Sequence, residues 1–273
     1  MKTSAQTDNR FQRDAAKYAA YLDTPEGRLR LDLAFANLQE FLPARTNNPL
    51  RALDLGGGTG AIAVRLARLG FHVTLLDSSP AMLDIAQRAA FDAGVTDKIA
   101  LQQGDASQLA NLFPNGSFDL ILCHNFLEYV DDPGAVLCSA ARVMRNSSAI
   151  LSVLVRNQAG EVLKAAIQAG DLAAAKDGLT AEWGQESLYG GKVRLFTSDH
   201  LRNMLKAASF RVIGERGVRA VVDYLPPQVS RDDDYERILE LERKLSSRTE
   251  FVAAARYIHF LARGSGSVME HRG

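Results

Sequence analysis

Hydrophobic positions change their spacing near residue 50 of the chain. Between residues 10 and 42, apolar and aromatic side chains recur at intervals near three and four, which predicts helices with a break at Thr24-Pro25. From Leu50 onward, short apolar runs alternate with helical stretches, as is typical of strand–helix–strand units. The runs predicted as strands are LRALDL at 50–55, HVTLL at 72–76, IALQQGD at 99–105, FDLILCH at 118–124 and AILSVLV at 149–155. Because these runs are nearly continuously apolar, they predict a parallel sheet that is covered on both faces.

The helices between and after these strands are predicted from capping residues and periodicity. Ser79-Pro80 is expected to open a helix that covers 81–93, and a second helix is predicted at 133–144. After Arg156 the pattern loses its period, so we interpret residues 158–196 as an insertion near the carboxyl ends of the strands. The rest of the chain predicts a helix at 196–209, a long or broken strand at 210–225, a helix at 232–245 and a final strand at 255–263.

Composition narrows the function classes without selecting one. The chain has 273 residues, 47% of them hydrophobic, which suits one α/β domain with a sizeable core. Its 32 basic residues balance 32 acidic ones, so net charge gives no long-range attraction to nucleic acid or to an anionic membrane. No apolar run approaches the roughly 18 residues that span a bilayer, and we expect a cytoplasmic protein. The two cysteines lack metal-ligand spacing; we expect reduced core thiols and assign no metal site.

A glycine-rich turn after the first predicted strand is the main candidate for a ligand site. Gly56-Gly57-Gly58-Thr59-Gly60-Ala61 fits the loose dinucleotide-binding fingerprint, and a tight turn without a ligand is the alternative. Glycines allow the backbone to approach a ligand closely. Asp54 precedes the turn, where its carboxylate would repel a pyrophosphate but could accept hydrogen bonds from an α-ammonium group. The turn therefore favours an amino-acid ligand over a dinucleotide.

Two further acids follow the next predicted strands. Asp77 ends the second run, where a carboxylate can accept two hydrogen bonds from ribose hydroxyls. Asp105 follows the third run, where its side chain could reach an adenine amino group. Because the carboxyl ends of parallel strands share one edge of the sheet, Asp54, Asp77 and Asp105 are expected to line one crevice.

Four motifs together resemble the class I S-adenosylmethionine-dependent methyltransferases. They are LDLGGGTG, LLDSSPAMLDIA, QQGDASQL and FDLILCHNFLEYVDDP, within about residues 45–155. The resemblance implies an α/β, Rossmann-like fold with a seven-stranded, mostly parallel sheet, helices on both faces, an N-terminal helical lid and a substrate-side insertion. It implies S-adenosyl-L-methionine as the cofactor. The residues that it assigns to cofactor binding are Asp54, Gly56, Gly57, Gly58, Asp77, Asp105, Ala106 and Ser107.

A narrower resemblance covers most of the chain. The segments TPEGRLR, CHNFLEYV, GVRAVVDYL, DYERILELE and RYIHFLAR are similar to the bacterial tRNA 5-carboxymethoxyuridine methyltransferases, which esterify a carboxylate on the wobble uridine. This similarity implies two further cofactor contacts, at Arg30 and at His124. The chain departs from that family at Val222, where the family has a histidine, and lacks its lysine cluster in the insertion. A small-molecule acceptor of an O- or N-methyl group is therefore the alternative to tRNA.

The acceptor side of the site follows from the chemistry of a carboxylate. A carboxylate is already ionised near neutral pH, so the reaction needs no general base and we assign no catalytic residue. A cationic receiver is needed, and Arg156 and Arg219 are the candidates because a guanidinium matches a carboxylate in shape. Tyr224 could donate a hydrogen bond, offer an aromatic face to a base, or simply pack.

Other functions and the domain plan complete the expectations. An NAD-dependent dehydrogenase and a catalytically silent, cofactor-binding partner subunit are the rival functions, and the oligomeric state stays open. The predicted regions are a helical lid at 1–45, a cofactor-binding core at 46–157, the insertion at 158–196, the C-terminal part of the same domain at 197–263 and a flexible tail at 264–273.

Overall fold

A seven-stranded sheet organises the protein. The computed structural model describes residues 10–43, 48–186, 188 and 190–265. The strands of the sheet, in chain order, are β1 (Arg51–Leu55), β2 (His72–Asp77), β3 (Ile99–Gln103), β4 (Leu120–His124), β5 (Ile150–Arg156), β8 (Phe210–Val218) and β9 (Tyr257–Gly264), and β6 (Trp183–Gln185) and β7 (Lys192–Arg194) form a separate two-stranded ribbon. The order across the sheet is β3-β2-β1-β4-β5-β9-β8, and β9 runs antiparallel to both of its neighbours. The predicted fold class is confirmed.

Helices lie between the strands and before β1. They are α1 (Ala15–Leu22), α2 (Pro25–Gln39), α3 (Ala61–Arg68), α4 (Pro80–Asp92), α5 (Leu109–Leu112), α6 (Pro133–Val143), α7 (Gln158–Leu163), α8 (Leu172–Gly178), α9 (Ser198–Ala207), α10 (Tyr235–Leu245) and α11 (Thr249–Ala254). Three of them begin with a capping side chain followed by proline: Thr24 caps α2, Ser79 caps α4 and Asp132 caps α6. Each capping oxygen accepts an amide of the first turn, and proline fits there because it has no N–H to satisfy.

The central strands are buried on both faces of the sheet. In β4, Ile121 and Cys123 pack into a core with residues of α6 and α9, while Leu120 and Leu122 pack into a second core with residues of α3 and α4. A strand covered on both sides has no solvent-facing position that favours a polar residue. This burial explains why the sequence of β4 is continuously apolar.

The structure corrects three details of the sequence analysis. The strand predicted at 210–225 ends at Val218, because Arg219 adopts a left-handed conformation (φ +63°) and a 3-10 turn follows at Val222–Tyr224. The helix predicted at 232–245 begins only at Tyr235. Cys138 is exposed on α6, so only Cys123 is a core thiol.

Residues of the N-terminal helices and of the insertion, among them Tyr21, Arg30, Lys164 and Glu186, line a cavity at the carboxyl ends of the parallel strands. After β5, the chain forms α7, a π-helical turn at Lys164–Gln168, α8 and the β6–β7 ribbon before α9. The proposed division into regions stays a prediction, and most of the tail predicted at 264–273 lies outside the described residues. Within the described ranges, no helix is both long and apolar enough to cross a membrane.

Candidate active site

A cavity of about 700 Å³ opens where the parallel strands end. It is lined by ten residues that the sequence singled out: Arg30, Gly56, Gly58, Asp77, Asp105, Ala106, Ser107, His124, Arg156 and Arg219. Asp54 and Gly57 line a smaller pocket that shares Arg30, Gly56 and His124 with the cavity. Tyr224 is not among the cavity-lining residues; its phenol donates a hydrogen bond to the Gly160 carbonyl at 3.4 Å.

Two glycines of the turn, Gly56 and Gly57, leave no room for a side chain in the observed packing. Gly56 has a φ of +62°, and a Cβ there would lie 2.3 Å from the Phe126 ring. A Cβ on Gly57 would lie 2.9 Å from the Asp54 carboxyl carbon. The turn therefore brings bare backbone to the cavity wall, as a closely approaching ligand requires.

Asp54 is a buried carboxyl group beside this turn. It is 4% exposed at the end of β1. Burial, followed by repulsion from Asp77, raises the pKa of Asp54 to about 7. A cation bound next to Asp54 would favour the ionised form, because an opposite charge offsets the cost of burial. The electrostatics of this position suit an ammonium ligand.

Asp77 and Asp105 are held at the ends of their strands by backbone amides. Asp77 accepts hydrogen bonds from the amides of Gly58 and Ser79, both at 2.9 Å. Asp105 accepts one from the Ser107 amide at 2.7 Å. Each carboxylate oxygen has two lone pairs, so both acids keep acceptor capacity for a ligand in the cavity.

Arg30 is a buried guanidinium surrounded by tyrosines. It is 6% exposed, and its Nη2 donates a hydrogen bond to the Tyr18 hydroxyl at 2.9 Å. The rings of Tyr18, Tyr21 and Tyr257 have their centroids 5.1–5.7 Å from its guanidinium carbon. Among the described residues, no carboxylate forms an ion pair with Arg30. Its charge is therefore available to an anionic group in the cavity.

His124 is part of a buried chain of hydrogen bonds within the sheet. Its Nε2 lies 2.7 Å from Ser152 Oγ, which lies 2.7 Å from Nε2 of His259. Burial, with a smaller contribution from Arg30, lowers the pKa of His124 to about 3. His124 is therefore a neutral imidazole at the cavity wall and carries no charge to the ligand.

The other end of the cavity is rich in arginine. Arg156 pairs with Glu161 (3.0 Å) and Glu186 (2.5 Å), and Arg256 pairs with Glu161 (2.9 Å). Arg219 binds both carboxylate oxygens of Asp223 through Nε and Nη2, and its Nη1 donates to the Tyr21 hydroxyl at 3.0 Å.

Tyr257 lies among these arginines at the start of β9. Burial alone would oppose ionisation of its phenol, but the guanidiniums of Arg156, Arg30, Arg219 and Arg256 outweigh burial and lower the pKa of Tyr257 to about 8. A phenol that ionises this readily shows how strongly positive the surroundings are.

Four further residues line the cavity that were not predicted from the sequence: Lys164, Glu186, Arg256 and Tyr257. For Arg256 and Tyr257 a signal was present. The final strand was predicted correctly, and in an antiparallel strand the first residues lie beside the carboxyl end of the neighbouring parallel strand, as the pairing of Arg156 with Tyr257 shows. Nothing in the aperiodic insertion sequence distinguished Lys164 or Glu186.

Comparison with known proteins decides the family. A methyltransferase-domain family matches residues 53–152. The chain is 31% identical over 263 residues to tRNA 5-carboxymethoxyuridine methyltransferase of Escherichia coli K12, covering 94% of this chain and 96% of that one. The chain belongs to the S-adenosylmethionine-dependent methyltransferases. This membership decides against the dehydrogenase and the silent partner subunit.

Other similarities to this methyltransferase are weaker or partial. The ubiquinone biosynthesis O-methyltransferase of Paracidovorax citrulli is 31% identical over 164 residues, which are 57% of this chain and 68% of that one. A crystal structure of a Thermotoga maritima S-adenosylmethionine-dependent methyltransferase shares the fold, with a TM-score of 0.63, 16% identity and coverage of 94% of this chain and 99% of that one.

The residues of this methyltransferase fit S-adenosylmethionine. The glycine turn presents bare backbone, and Asp54 and Arg30 offer opposite charges that match an ammonium and a carboxylate. In the predicted assignment, Asp77 would hold the ribose, and Asp105, Ala106 and Ser107 would border the adenine. When bound, the cofactor supplies a methyl group on a positively charged sulfur.

Proposed function

We propose that this methyltransferase esterifies the carboxylate of 5-carboxymethoxyuridine in tRNA. The near full-length similarity to the Escherichia coli enzyme of that name supports the substrate. The observation that carries the proposal is a group of five cations on the cavity wall, of which three are paired with carboxylates of the described residues and two are not. The cavity-lining cations there are Arg30, Lys164, Arg156, Arg219 and Arg256, and the carboxylates paired with them are Glu161, Glu186 and Asp223.

Two of these cations have no carboxylate partner among the described residues, Arg30 and Lys164. Lys164 lies on the π-helical turn, and Gln168 of the same turn donates a hydrogen bond to the Asp223 carbonyl at 2.6 Å. Two unpaired cations suit two anions: we assign Arg30 to the carboxylate of the cofactor and Lys164 to the carboxylate of the acceptor.

We retain the assignment of Arg156 and Arg219, which both line the cavity, to the acceptor side. Carboxylates hold both guanidinium groups in place. The two arginines would therefore contribute a fixed positive potential and hydrogen-bond donors in fixed positions, without moving to meet the acceptor. Tyr224 has no contact with the cavity and is left out of the proposed acceptor site.

The proposed reaction needs alignment more than proton transfer. An ionised carboxylate is a competent nucleophile, and His124, neutral and bonded to Ser152, is not required as a base. The chain's contribution is to hold the two reactants about 3 to 3.5 Å apart and in line. Residues 10–22 and the insertion would exclude water from the cavity, and a tRNA substrate agrees with the expected cytoplasmic location.

The test is methyl transfer to defined tRNA. Purified enzyme is incubated with S-adenosylmethionine and tRNA that carries 5-carboxymethoxyuridine, and its nucleosides are analysed by mass spectrometry. We expect the methyl ester of that nucleoside, with no product from tRNA that has unmodified uridine at the wobble position. If calorimetry shows that the enzyme binds S-adenosylhomocysteine but no ester is formed on the tRNA, the proposed substrate is refuted. The assignment to the methyltransferase family is then unaffected.

A small-molecule acceptor is the second candidate. The partial similarity to ubiquinone biosynthesis O-methyltransferases and the balanced net charge favour it. It predicts methylation of a small anionic acceptor with no tRNA binding at any salt concentration. The tRNA assay, repeated with the free nucleoside and with small aromatic acceptors, separates the two candidates.

A further inference from the structure

The two-stranded ribbon of the insertion has one buried and one exposed face. Trp183 pairs with Arg194, Gly184 with Val193 and Gln185 with Lys192. Because side chains alternate along strands, Trp183, Gln185, Lys192 and Arg194 share one face. Val193, on the other face, is fully buried, whereas Trp183 is 44% exposed. The face that carries Trp183 is therefore the solvent face of the ribbon.

This solvent face combines an aromatic ring with unpaired cations. Trp183 is the only tryptophan in the chain, and the Arg194 guanidinium carbon lies 4.6 Å from its ring centroid. Within the described part of the chain, neither Lys192 nor Arg194 forms an ion pair with a carboxylate. Aromatic rings that stack on bases, together with cations that contact phosphates, are the groups that bind single-stranded RNA.

The ribbon is attached to the rim of the cavity. Glu186 follows β6 directly, is 4% exposed, and binds Arg156 and the Tyr129 hydroxyl. Arg194 Nη2 donates a hydrogen bond at 3.3 Å to the carbonyl of Asp131, a cavity-lining residue. Trp183 lies three residues before Glu186, which is about 10 Å along a strand. A nucleotide adjacent to one held in the cavity can reach that far.

We propose that the solvent face of the β6–β7 ribbon is a binding platform for single-stranded RNA. On this platform, a base next to the modified uridine stacks with Trp183 and Arg194, and the Lys192 ammonium group contacts a neighbouring phosphate. The platform rests on the proposed function, since it supplies the local contact that a chain with balanced charge needs to hold tRNA. The platform also gives the insertion a role in RNA binding, although the insertion lacks the lysine cluster of the similar tRNA methyltransferases.

The single tryptophan allows a direct test in the unmodified enzyme. An RNA hairpin with the anticodon loop is expected to quench Trp183 fluorescence, and a blunt RNA duplex is not. In a filter-binding titration, which does not need the tryptophan, Trp183→Ala should raise the Kd for the hairpin about tenfold, as loss of one stacking contact does. Lys192→Ala should reduce the slope of log K against log salt by about 0.7, the value for one single-strand phosphate contact. Leu179→Ala and Lys176→Ala, exposed positions on or beside α8, are the matched controls.

A kinetic readout separates the platform from the chemistry. Trp183→Ala should raise KM for tRNA and leave methylation of the free nucleoside unchanged. The platform is overturned if the variant binds the hairpin and methylates tRNA as the wild type does, and the proposed function then stands. Wild-type enzyme that binds cofactor but neither binds the hairpin nor forms the ester on tRNA overturns both.

Discussion

At the scale of single residues, the burial of Asp54 makes its surroundings favour a positively charged ligand. Its pKa of about 7, raised by burial and then by Asp77, means that the carboxyl group is only partly ionised at neutral pH. An ammonium group bound beside it restores the ionised form. The assignment of Asp54 to the ammonium group of the cofactor therefore predicts that cofactor affinity is linked to the protonation of this one side chain.

Asp54→Asn tests this link. We expect the variant to bind S-adenosylhomocysteine at least tenfold more weakly at pH 8, because a charged hydrogen-bond acceptor is lost. Wild-type affinity should rise between pH 6 and pH 8 as Asp54 ionises, whereas the affinity of the variant should stay flat. Calorimetry at several pH values measures both, with the exposed Asp84→Asn as control. A wild-type affinity independent of pH would contradict the assignment.

The same substitution predicts an effect on the stability of the free enzyme. A raised folded-state pKa favours the folded state at low pH, and this contribution is lost as pH rises from the ordinary value of 3.8 through about 7. Without cofactor, Asp54→Asn should therefore gain stability relative to the wild type at pH 8 and gain little at pH 4. Urea unfolding at the two pH values measures the difference, and equal differences at both would exclude the titration of Asp54 as its cause.

Lys164→Ala tests the proposed receiver of the acceptor carboxylate. Lys164 lines the cavity and has no ion pair with the carboxylates of the described residues, so its removal should leave the fold intact. We expect KM for the acceptor to rise about tenfold, since a hydrogen bond to a charged group contributes about 1.5 to 3 kcal/mol. The Kd for S-adenosylhomocysteine should not change. Lys176→Ala, on the exposed side of α8, is the control; equal KM values for the two variants would remove Lys164 from the site.

At the scale of elements, the turn after β8 is held by one buried carboxylate. Glu242 of α10 is 1% exposed and accepts hydrogen bonds from the amides of Ala220 (2.7 Å), Val221 (2.9 Å) and Val222 (2.9 Å). These bonds end the strand and place Arg219 beside Asp223. The position of a cavity arginine thus depends on a helix residue that does not touch the cavity.

Glu242→Ala should destabilise the protein by about 3 kcal/mol or more, because three amides lose a charged acceptor and two of their residues are buried. Glu242→Gln keeps one oxygen but places an NH₂ group near the amides, so it should be intermediate. Urea denaturation measures both. Glu240→Ala, which removes an exposed pair with Lys244, should cost less than about 1 kcal/mol. A similar cost for both alanine variants would show that the turn does not depend on Glu242.

The cofactor side of the site could be predicted at this scale, whereas much of the acceptor side could not. Parallel strands bring their carboxyl ends together whatever their order, so Asp77 and Asp105 could be placed from the strand pattern alone. Arg156 also ends a parallel strand and was predicted, whereas Lys164 and Glu186 belong to the aperiodic insertion and the direction of Arg219 depends on its left-handed conformation, which no local period encodes. The role of Tyr224 was left open by the sequence, and the turn at Val222–Tyr224, which replaces the predicted continuation of the strand, directs its phenol to Gly160.

At the scale of the whole molecule, zero net charge conceals a separation of charges within one cavity. Asp54 and Asp77 lie beside the glycine turn and four arginines lie around Tyr257, while the 32 basic and 32 acidic residues of the chain balance. The net charge predicts the long-range attraction between the protein and a charged ligand, because that attraction depends on the sum of all charges. It does not predict the charges of the cavity, because binding depends on the charged groups that lie next to the ligand.

The N-terminal segment 10–22 connects the two sides of this cavity. Gln12 accepts hydrogen bonds from the Ala81 amide (3.0 Å) and the Ser79 hydroxyl (3.2 Å) at the start of α4. Arg10 donates to the Gly190 carbonyl at 2.7 Å, and Lys17 donates to the Leu188 carbonyl, both in the insertion. The segment therefore spans from α4, the helix that follows Asp77, to the loop that joins β6 and β7.

Gln12→Ala should weaken this connection and, with it, cofactor retention. Two neutral hydrogen bonds of about 0.5 to 1.5 kcal/mol each are lost, so the Kd for S-adenosylhomocysteine should rise several-fold through faster dissociation. Hydrogen exchange should show that the cofactor protects the amides of 10–22 in the wild type and protects them less in the variant. Arg13→Ala, which removes an exposed pair with the adjacent Asp14, is the control. If Gln12→Ala behaves as this control does, the N-terminal helices cover the cavity without being coupled to what it holds.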